Sequence, residues 1–234
     1  MPFYDYYDDL QATGVGRAWA RSQARNVLGR LRSLAPGART VLEIGPGHGS
    51  FAEACAAMGL CYTALDINLR LLRSLQVGGH TGVRAMAPSL PFATGYYDIA
   101  FASHVIEHSA SYREALAFAT ELGRVVAPGG LVALVAPDYL ALGDDYWNCD
   151  YSHGFVTTRR RLRQLLRDAG LTVCSASYVW GPLQGFRGAI AGATIGSSLA
   201  GAVARAVPGR VGERLYKARL TFARAIFIVA EVAQ

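Results

Sequence analysis

The sequence predicts one α/β domain in which helices cover both faces of a mostly parallel sheet. Its 234 residues are enough for one complete α/β domain and too few for two. Between residues 17 and 137, short apolar runs typical of strands alternate with amphipathic runs typical of helices, which is the order that builds a parallel sheet. An apolar content of 52% with only 17% charged residues excludes a disordered chain.

Each element follows from its local pattern. Short apolar runs predict seven strands, over residues 40–44, 61–67, 82–86, 97–103, 131–136, 172–179 and 222–232. Helical periodicity predicts helices over residues 17–34, 50–58, 68–76, 112–126 and 157–169, and a further helical stretch over 185–220. The last two strands are therefore separated by an unusually long connection.

These elements divide the chain into four segments. They are a helical cap (1–37), an α/β core (38–184), a basic helical insertion (185–221) and the last strand of the sheet (222–234). The net charge is +6, but residues 185–234 contain seven Lys or Arg and two Glu, a net +5, which leaves +1 for residues 1–184. Because the charge is not spread over the core, no nucleic-acid partner is expected.

The cysteine pattern and the hydropathy suggest a location. The four cysteines show no C-x-x-C spacing, so no metal site and no disulfide framework is predicted, and a reducing, cytoplasmic environment is expected. Residues 1–10 are acidic and tyrosine-rich, unlike a signal peptide. The longest uncharged run, residues 188–204, is too short to span a bilayer. We expect at most a peripheral contact with the inner face of the membrane.

A glycine-rich loop is the most informative stretch. In residues 41–49 a predicted strand breaks into a G-x-G-x-G pattern formed by Gly45, Gly47 and Gly49, directly before a predicted helix. Glycines at such a turn let backbone N–H groups approach a ligand at the positive end of the helix. Asp66 lies 21 residues after Gly45, at the end of the next strand, where a carboxylate suits the two hydroxyls of a ribose. The combination predicts a nucleoside-containing cofactor.

Four sequence blocks, in this order, resemble the class I S-adenosylmethionine-dependent methyltransferases, specifically the small type 11 group. The blocks are residues 41–49, Ser89-Leu90-Pro91-Phe92 with Tyr97-Asp98-Ile99, Ser103-His104-Val105-Ile106-Glu107-His108, and Arg124-Val125-Val126-Ala127-Pro128-Gly129-Gly130. The resemblance implies a methyl-transferring enzyme with S-adenosyl-L-methionine as donor. It also implies a Rossmann-like, doubly wound sheet of seven strands whose last strand is antiparallel, with the helical insertion before that strand.

The resemblance also implies a set of cofactor-binding residues. They are Glu43, Gly45, Pro46, Gly47, Gly49, Asp66, Ile67, Met86, Ala87, Ser103 and His104. Glu43 would orient the methionine amino group, Asp66 would hold the ribose, and Ile67 would pack on the adenine. The family often has an acid that accepts the adenine amino hydrogens where this chain has Met86, so apolar and backbone contacts are expected there.

Three histidines are candidates for removing a proton from an acceptor hydroxyl. His153, which precedes a predicted helix, is the first candidate, with Asp150 as the residue that could orient it. His108 beside Glu107 either takes part in catalysis or braces its loop, and His104 either contacts the cofactor or acts as a base. For His153 the alternative is a residue that only holds its loop together. Five aromatic residues could line an acceptor pocket or simply pack: Tyr4, Tyr6, Tyr7, Trp147 and Tyr151.

The insertion carries a third signal. Gly188, Gly192 and Gly196 recur every fourth residue and would form a smooth stripe on one helix, and residues 205–224 are basic with apolar residues between the charges. This pattern suits an anionic membrane surface, a lid or a homodimer contact.

The predicted acceptor is an oxygen of a sugar, a glycolipid or a secondary metabolite. Two other interpretations stay open. One is a non-catalytic, methyltransferase-like subunit that binds a partner. The other is a nicotinamide-dependent oxidoreductase, against which the glycine spacing argues.

Overall fold

A computed structural model describes residues 14–181, 183 and 185–233. Its centre is one seven-stranded sheet with the spatial order β3-β2-β1-β4-β5-β7-β6. The strands are β1 Thr40–Ile44, β2 Cys61–Asp66, β3 Thr81–Arg84, β4 Tyr97–Ser103, β5 Val126–Pro137, β6 Leu171–Trp180 and β7 Arg224–Val232. β7 pairs antiparallel with both of its neighbours and the remaining pairs are parallel. The predicted doubly wound sheet, with an antiparallel last strand, is confirmed.

Helices cover both faces of this sheet. They are α1 Gly14–Leu34, α2 Ser50–Ala57, α3 Leu69–Val77, α4 Tyr112–Val125, α5 Tyr139–Leu142, α6 Asp145–Asn148, α7 Arg159–Asp168, α8 Gly185–Thr194, α9 Ser198–Ala206 and α10 Gly209–Phe222, with a 3-10 helix at Ile106–His108. Leu28 of α1 and Leu72 of α3 lie in one buried cluster, whereas Phe118 of α4 and Leu162 of α7 lie in the other. The central strands β1, β4, β5 and β7 are therefore buried on both sides, as their continuous apolar runs predict, whereas the edge strands β3 and β6 are partly exposed.

The boundaries of five strands differ from the predicted ones, by one or two residues at each changed end of β2, β3 and β6 and for a structural reason at β5 and β7. β5 begins at Val126 rather than at residue 131, because Val126 already pairs with Tyr97 before the register shifts. Gly130 lies in this shift, where a Cβ atom would come 2.7 Å from the carbonyl oxygen of Asp98. β7 begins at Arg224 because Phe222 still belongs to α10. In addition, the segment 138–155, which none of the predicted strands and helices covers, contains the short helices α5 and α6.

The glycine stripe of the insertion packs inside the chain. Gly196 lies beyond the end of α8, so the three glycines do not share one continuous helix. A Cβ atom on Gly192 would collide with Cδ1 of Trp180, and one on Gly196 would collide with the carbonyl oxygen of Phe222. The close approach that the spacing predicts is made by this chain's own β6 and α10.

Ion pairs fasten the insertion to the segment after β5. Arg205 and Arg219 each place Nη1 2.9 Å from Oδ2 of Asp145, and Nε of Arg224 lies 2.6 Å from Oδ2 of Asp138. Asp145, Asp138 and Arg219 are buried, so these charges have little access to water. Part of the positive charge in the C-terminal region therefore serves to hold the insertion on the core.

None of the described helices is by itself long and apolar enough to cross a membrane. By length and composition alone, α8 and α9 could do so as a pair, with a bend of 43° between them.

Replacing Gly196 with Ala should destabilise the fold, because the new methyl group would collide with the backbone of Phe222. We expect the free energy of unfolding to fall by roughly 1–3 kcal/mol, as for other overpacked sites. Gly29→Ala is the matched control. Gly29 is an exposed position inside α1, and a Cβ atom added there would meet no heavy atom within 4 Å, so this change should stabilise by about 0.5–1 kcal/mol. Chemical denaturation followed by circular dichroism measures both, and equal effects would contradict the packing argument.

Candidate functional site

A cavity of about 480 Å³ opens at the carboxyl ends of β1 to β5. Parallel strands bring the loops that follow them to one edge of a sheet, and ligand sites of such folds form there. The part nearest β1–β3 is lined by Ile44, Gly45, Gly47, Leu65, Asp66, Ile67, Met86 and Ala87. The rest is lined by residues that follow β4 and β5 and precede β7, among them Ser103, His104, Glu107, His108, Asp150, His153, Leu220 and Arg224.

The glycine loop has the conformation that its sequence requires. Gly45, Gly47 and Gly49 have φ values of 70°, 52° and 80°, a region that other residues rarely adopt. A Cβ atom on Gly45 would lie 2.7 Å from Val105, and one on Gly49 would lie 2.5 Å from Leu75, whereas one on Gly47 would meet no heavy atom within 4 Å. Gly45 and Gly47 line the cavity, and Gly49 instead caps α2 against α3. The loop thus leaves open space where its backbone faces the cavity.

Asp66 ends β2 at the wall of the cavity. Its Oδ1 accepts a hydrogen bond of 2.8 Å from the backbone N–H of Asn68, whose own side chain caps α3. Burial raises the pKa of Asp66, and backbone hydrogen bonds from Asn68 and Ile67 partly oppose that rise. Ile67 and the exposed side chain of Met86 line the same part of the cavity. The carboxylate and the apolar side chains predicted to hold a nucleoside therefore come together.

Glu43 lies apart from the described cavity lining. Its side chain is buried, and its Oε2 accepts a hydrogen bond of 2.5 Å from the hydroxyl of Tyr62. Burial raises the pKa of Glu43 to about 8; the bond from Tyr62 lowers it and the charge of Asp66 adds to the rise. At neutral pH the carboxyl is therefore largely protonated. Pro46 is likewise not among the described lining residues.

Glu107, His108 and His153 form what we call the histidine cluster. One ligating atom from each residue lies within 4.8 Å of those from the other two. Glu107 is fully buried; its Oε1 lies 3.2 Å from Nδ1 of His104, and its Oε2 has no hydrogen-bond partner among the described residues. A buried carboxylate oxygen without a partner is costly, so this atom is suited to contact a ligand.

The hydrogen-bond partners define the tautomers of the two clustered imidazoles. Nδ1 of His153 lies 2.6 Å from the carbonyl oxygen of Tyr146, which can only accept, so Nδ1 carries the hydrogen. Nδ1 of His108 lies 2.8 Å from Oγ of Ser152, and the Ser152 hydroxyl donates to Oδ1 of Asp150 at 2.6 Å. Ser152 therefore accepts from His108. In both rings Nε2 is the nitrogen with the lone pair.

Asp150 lies differently from the prediction. The sequence predicts that it orients His153, but its hydrogen bonds go to Ser152, so it acts on His108. His153 is held instead by the carbonyl of Tyr146, and the indole N–H of Trp147 donates to the backbone carbonyl of His153 at 2.9 Å. No sequence motif indicates these contacts, because a backbone carbonyl acts here in place of a side chain.

His104 is held at the cavity wall by the backbone and by Glu107. Its φ is 56°, rare for a residue other than glycine, and its N–H donates to the carbonyl of Val135 at 2.8 Å. Desolvation lowers the pKa of His104, but the hydrogen bond and charge of Glu107 outweigh it, so the pKa is raised. The pKa of His108 is lowered, mainly by burial, although Glu107 opposes this. The two histidines of one sequence block therefore have opposite shifts.

The candidate aromatic residues have different placements. Trp147 contacts the ring of Tyr146, and Tyr151 is strongly exposed. Tyr4, Tyr6 and Tyr7 lie outside the described residues. Sequence reasoning missed Tyr146, whose fully buried hydroxyl donates to the carbonyl of Phe155 at 2.7 Å and so shapes the segment that carries His153.

A family model described as a methyltransferase domain matches residues 17–176 of this chain. The chain belongs to the methyltransferase family. This confirms the prediction of a class I methyltransferase with S-adenosyl-L-methionine as its cofactor.

Curated relatives match part of the chain. An uncharacterized methyltransferase of Mycobacterium sp. (strain JLS) is 40% identical over 102 residues, 42% of this chain and 39% of that protein. Another, from Mycobacterium marinum, is 33% identical over 136 residues, 56% of this chain and 49% of that protein. The matched part therefore spans less than half the length of these relatives.

Solved structures share the fold at low identity. A putative sarcosine dimethylglycine methyltransferase from Galdieria sulphuraria has a TM-score of 0.66 and 14% identity, with 90% of this chain and 85% of that chain covered. Phosphoethanolamine N-methyltransferase 2 from Haemonchus contortus, in complex with S-adenosyl-L-methionine, has a TM-score of 0.65 and 17% identity, covering 99% of this methyltransferase and 60% of that chain.

The residues of this methyltransferase fit the donor. The open space beside Gly47 admits a ligand against the backbone of the glycine loop, and the Asp66 carboxylate is placed for two neighbouring hydroxyls. Ile67 and Met86 offer apolar surface for a flat ring. Glu43 lies outside this lining, so its assignment to the methionine amino group stays a prediction.

The raised pKa of Glu43 predicts a pH-dependent stability. A carboxyl group that binds its proton more tightly in the folded state stabilises the fold. This contribution is present in full below the pKa of the unfolded state, near 4.5, and is lost as the pH rises through the pKa of the folded state, about 8. Relative to Glu43→Gln, the wild-type protein should therefore lose up to a few kcal/mol of unfolding free energy between about pH 5 and pH 8.5. Denaturant unfolding of both proteins across this range measures the difference, and parallel pH profiles would show that Glu43 is not perturbed.

Proposed function

We propose that this methyltransferase transfers the methyl group of S-adenosylmethionine to a hydroxyl oxygen of a glycan or lipid-linked acceptor. The histidine cluster carries this proposal. Its two imidazoles, each with its lone pair on Nε2, and Oε2 of Glu107, which has no hydrogen-bond partner in the described part of the chain, present hydrogen-bond acceptors at the cavity. A hydroxyl nucleophile must lose a proton as it is methylated, and such groups assist that loss.

The chain's residues divide the work between two parts of the cavity. When bound, S-adenosylmethionine supplies an electrophilic methyl group on a good leaving group. The glycine loop and Asp66 would hold that donor, and the histidine cluster would contact the acceptor hydroxyl and promote loss of its proton. Leu220 and Arg224, at the end of the insertion, line the cavity and would help to exclude water from it.

The surface of the insertion supports a lipid-linked acceptor. Phe186 on α8 is 80% exposed, and the exposed Ile190 follows it by four residues. Leu199 on α9 is 76% exposed, and the exposed Val203 follows it by four residues. The same insertion also exposes cationic side chains, at Arg187, Arg210, Arg214 and Lys217. An insertion that exposes both apolar and cationic side chains suits the surface of an anionic membrane. Leu220, near the end of α10, lines the cavity. An acceptor in the membrane surface that the insertion contacts would therefore lie close to the cavity.

Transfer of labelled methyl groups into an extract of the host cell tests the proposed reaction. We expect label in the organic-extractable glycolipid or lipid fraction with the wild-type protein, and at least a tenfold loss with Asp66→Ala, which removes the ribose contact. Label confined to water-soluble small molecules would overturn the lipid-linked acceptor but not the methyl transfer. Equal absence of label with both proteins would favour a non-catalytic, partner-binding subunit.

Vesicle flotation tests the membrane contact. The wild-type protein should float with vesicles that contain phosphatidylglycerol at low salt and should be released at high salt, since the contact is partly electrostatic. Leu199→Asp should reduce flotation severalfold. Val77→Asp is the matched control, because Val77 is 91% exposed at the end of α3, outside the insertion. A dimer in solution that Leu199→Asp dissociates, without any flotation, would show instead that this surface binds a second copy of the chain.

A further inference from the structure

We propose that Glu107, His108 and His153 bind a divalent transition-metal cation that in turn holds the acceptor oxygen. The assignment rests first on the side chains themselves. Two imidazoles and one carboxylate are a common ligand set for zinc and for non-haem iron, and the set leaves coordination positions open for a substrate. In this chain the three groups come from two separate segments, the 3-10 helix after β4 and the turn before α7, and meet within 4.8 Å.

The hydrogen bonds around the cluster are those expected for metal-ligating histidines. Such a histidine usually donates its other ring N–H to a carbonyl or to a carboxylate network, which orients the ring. His153 donates Nδ1–H to the carbonyl of Tyr146, and His108 donates to Ser152, which is in turn bonded to Asp150. Both rings therefore turn the nitrogen with the lone pair away from these partners. A catalytic base or a structural histidine requires only one ring that is oriented through Nδ1–H. Here two neighbouring rings are both oriented in this way.

The orphan oxygen of Glu107 supplies an independent observation. Its side chain is fully buried, Oε1 contacts His104, and Oε2 has no hydrogen-bond partner among the described residues. A cation in the cluster would satisfy Oε2 and compensate the buried negative charge. Ligand bonds to Zn²⁺ or Mn²⁺ are about 2.1 Å long, which places tetrahedral ligand atoms about 3.4 Å apart, so atoms within 4.8 Å of one another need to draw together by up to roughly 1.4 Å.

The chemistry of the donors selects the ion. Two nitrogen ligands and one oxygen ligand favour zinc, manganese or iron(II) over magnesium and calcium, which prefer oxygen ligands alone. The role of the ion in catalysis rests on the proposed function: with the imidazole lone pairs bound to the cation, the cluster acts on the acceptor hydroxyl through the ion. The ion makes that hydroxyl more acidic, so that it loses its proton to solvent, and holds its oxygen in one position for methylation. The existence of the site does not depend on that role.

Titration with Co²⁺ tests the site, because its visible absorption reports nitrogen and oxygen ligands directly. After treatment with a chelator, the full chain should bind one Co²⁺ per molecule with a new visible band, and Zn²⁺ should displace it. His153→Gln should weaken Co²⁺ binding at least a hundredfold. Ser152→Ala, which touches no ligand atom but frees the ring of His108, should weaken it by 10- to 100-fold. His80→Gln is the control, since His80 contacts Tyr62 outside this cavity and should leave binding unchanged.

The outcomes separate this inference from the proposed function. Binding of S-adenosylmethionine and thermal unfolding are measured on each variant, so that a folding defect is distinguished from a lost ligand. The cation site is overturned if the wild type does not bind Co²⁺, or if it binds Co²⁺ as weakly as Ser152→Ala and His153→Gln do. This holds even if methyl transfer proceeds in the presence of chelator. One specific Co²⁺ per chain, sensitive to both variants, supports the site even if no label enters the extract. Label that chelation abolishes and Zn²⁺ or Mn²⁺ restores supports both.

Discussion

The direction of the strands is the constraint on which the site depends. Because β1 to β5 run parallel, the segments that follow them meet at one edge of the sheet and bring Gly45, Asp66 and His104 to one cavity. β7 runs the opposite way, so its first residue, Arg224, lies at that same edge, beside the end of β5. Any segment inserted directly before β7 must therefore end over the cavity. The long connection between the last two strands thus becomes a wall of the site rather than a remote appendage.

A buried ion pair links this wall to the histidine cluster. Asp145 binds both Arg205 of α9 and Arg219 of α10, and Arg219 also donates to the carbonyls of Ala141 and Leu142. The residue after Asp145 is Tyr146, whose carbonyl accepts from His153. Removing one partner of such a buried pair typically costs about 3–5 kcal/mol, because a charge is left without compensation. The ion pair that holds the insertion therefore lies one residue away from the carbonyl that orients His153.

The two buried glutamates at this edge illustrate how environment assigns different chemistry to the same side chain. Glu43 has a hydroxyl partner and no cation beside it among the described residues, so burial keeps it largely protonated near neutral pH. Glu107 lies against His104, whose pKa it raises, and its second oxygen has no hydrogen-bond partner within the described ranges. The first is suited to a structural hydrogen bond, whereas the second is suited to a cationic ligand. Membership of the methyltransferase family concerns the cofactor. The different surroundings of Glu43 and Glu107 concern the acceptor instead.

The sequence by itself determined the fold, because alternating apolar runs and a glycine turn are local signals. β1 and β4 begin and end where the pattern predicts, and Gly45, Gly47 and Asp66, which the sequence predicts to hold the donor, line one part of the cavity. Only the tertiary structure decided how the acceptor part is built. Glu107 and His153 are far apart in sequence, and their contacts run through backbone carbonyls and a serine that carry no motif. The same holds for the stripe at Gly192: spacing predicts a close approach, but only packing shows that its partner is Trp180 of the same chain.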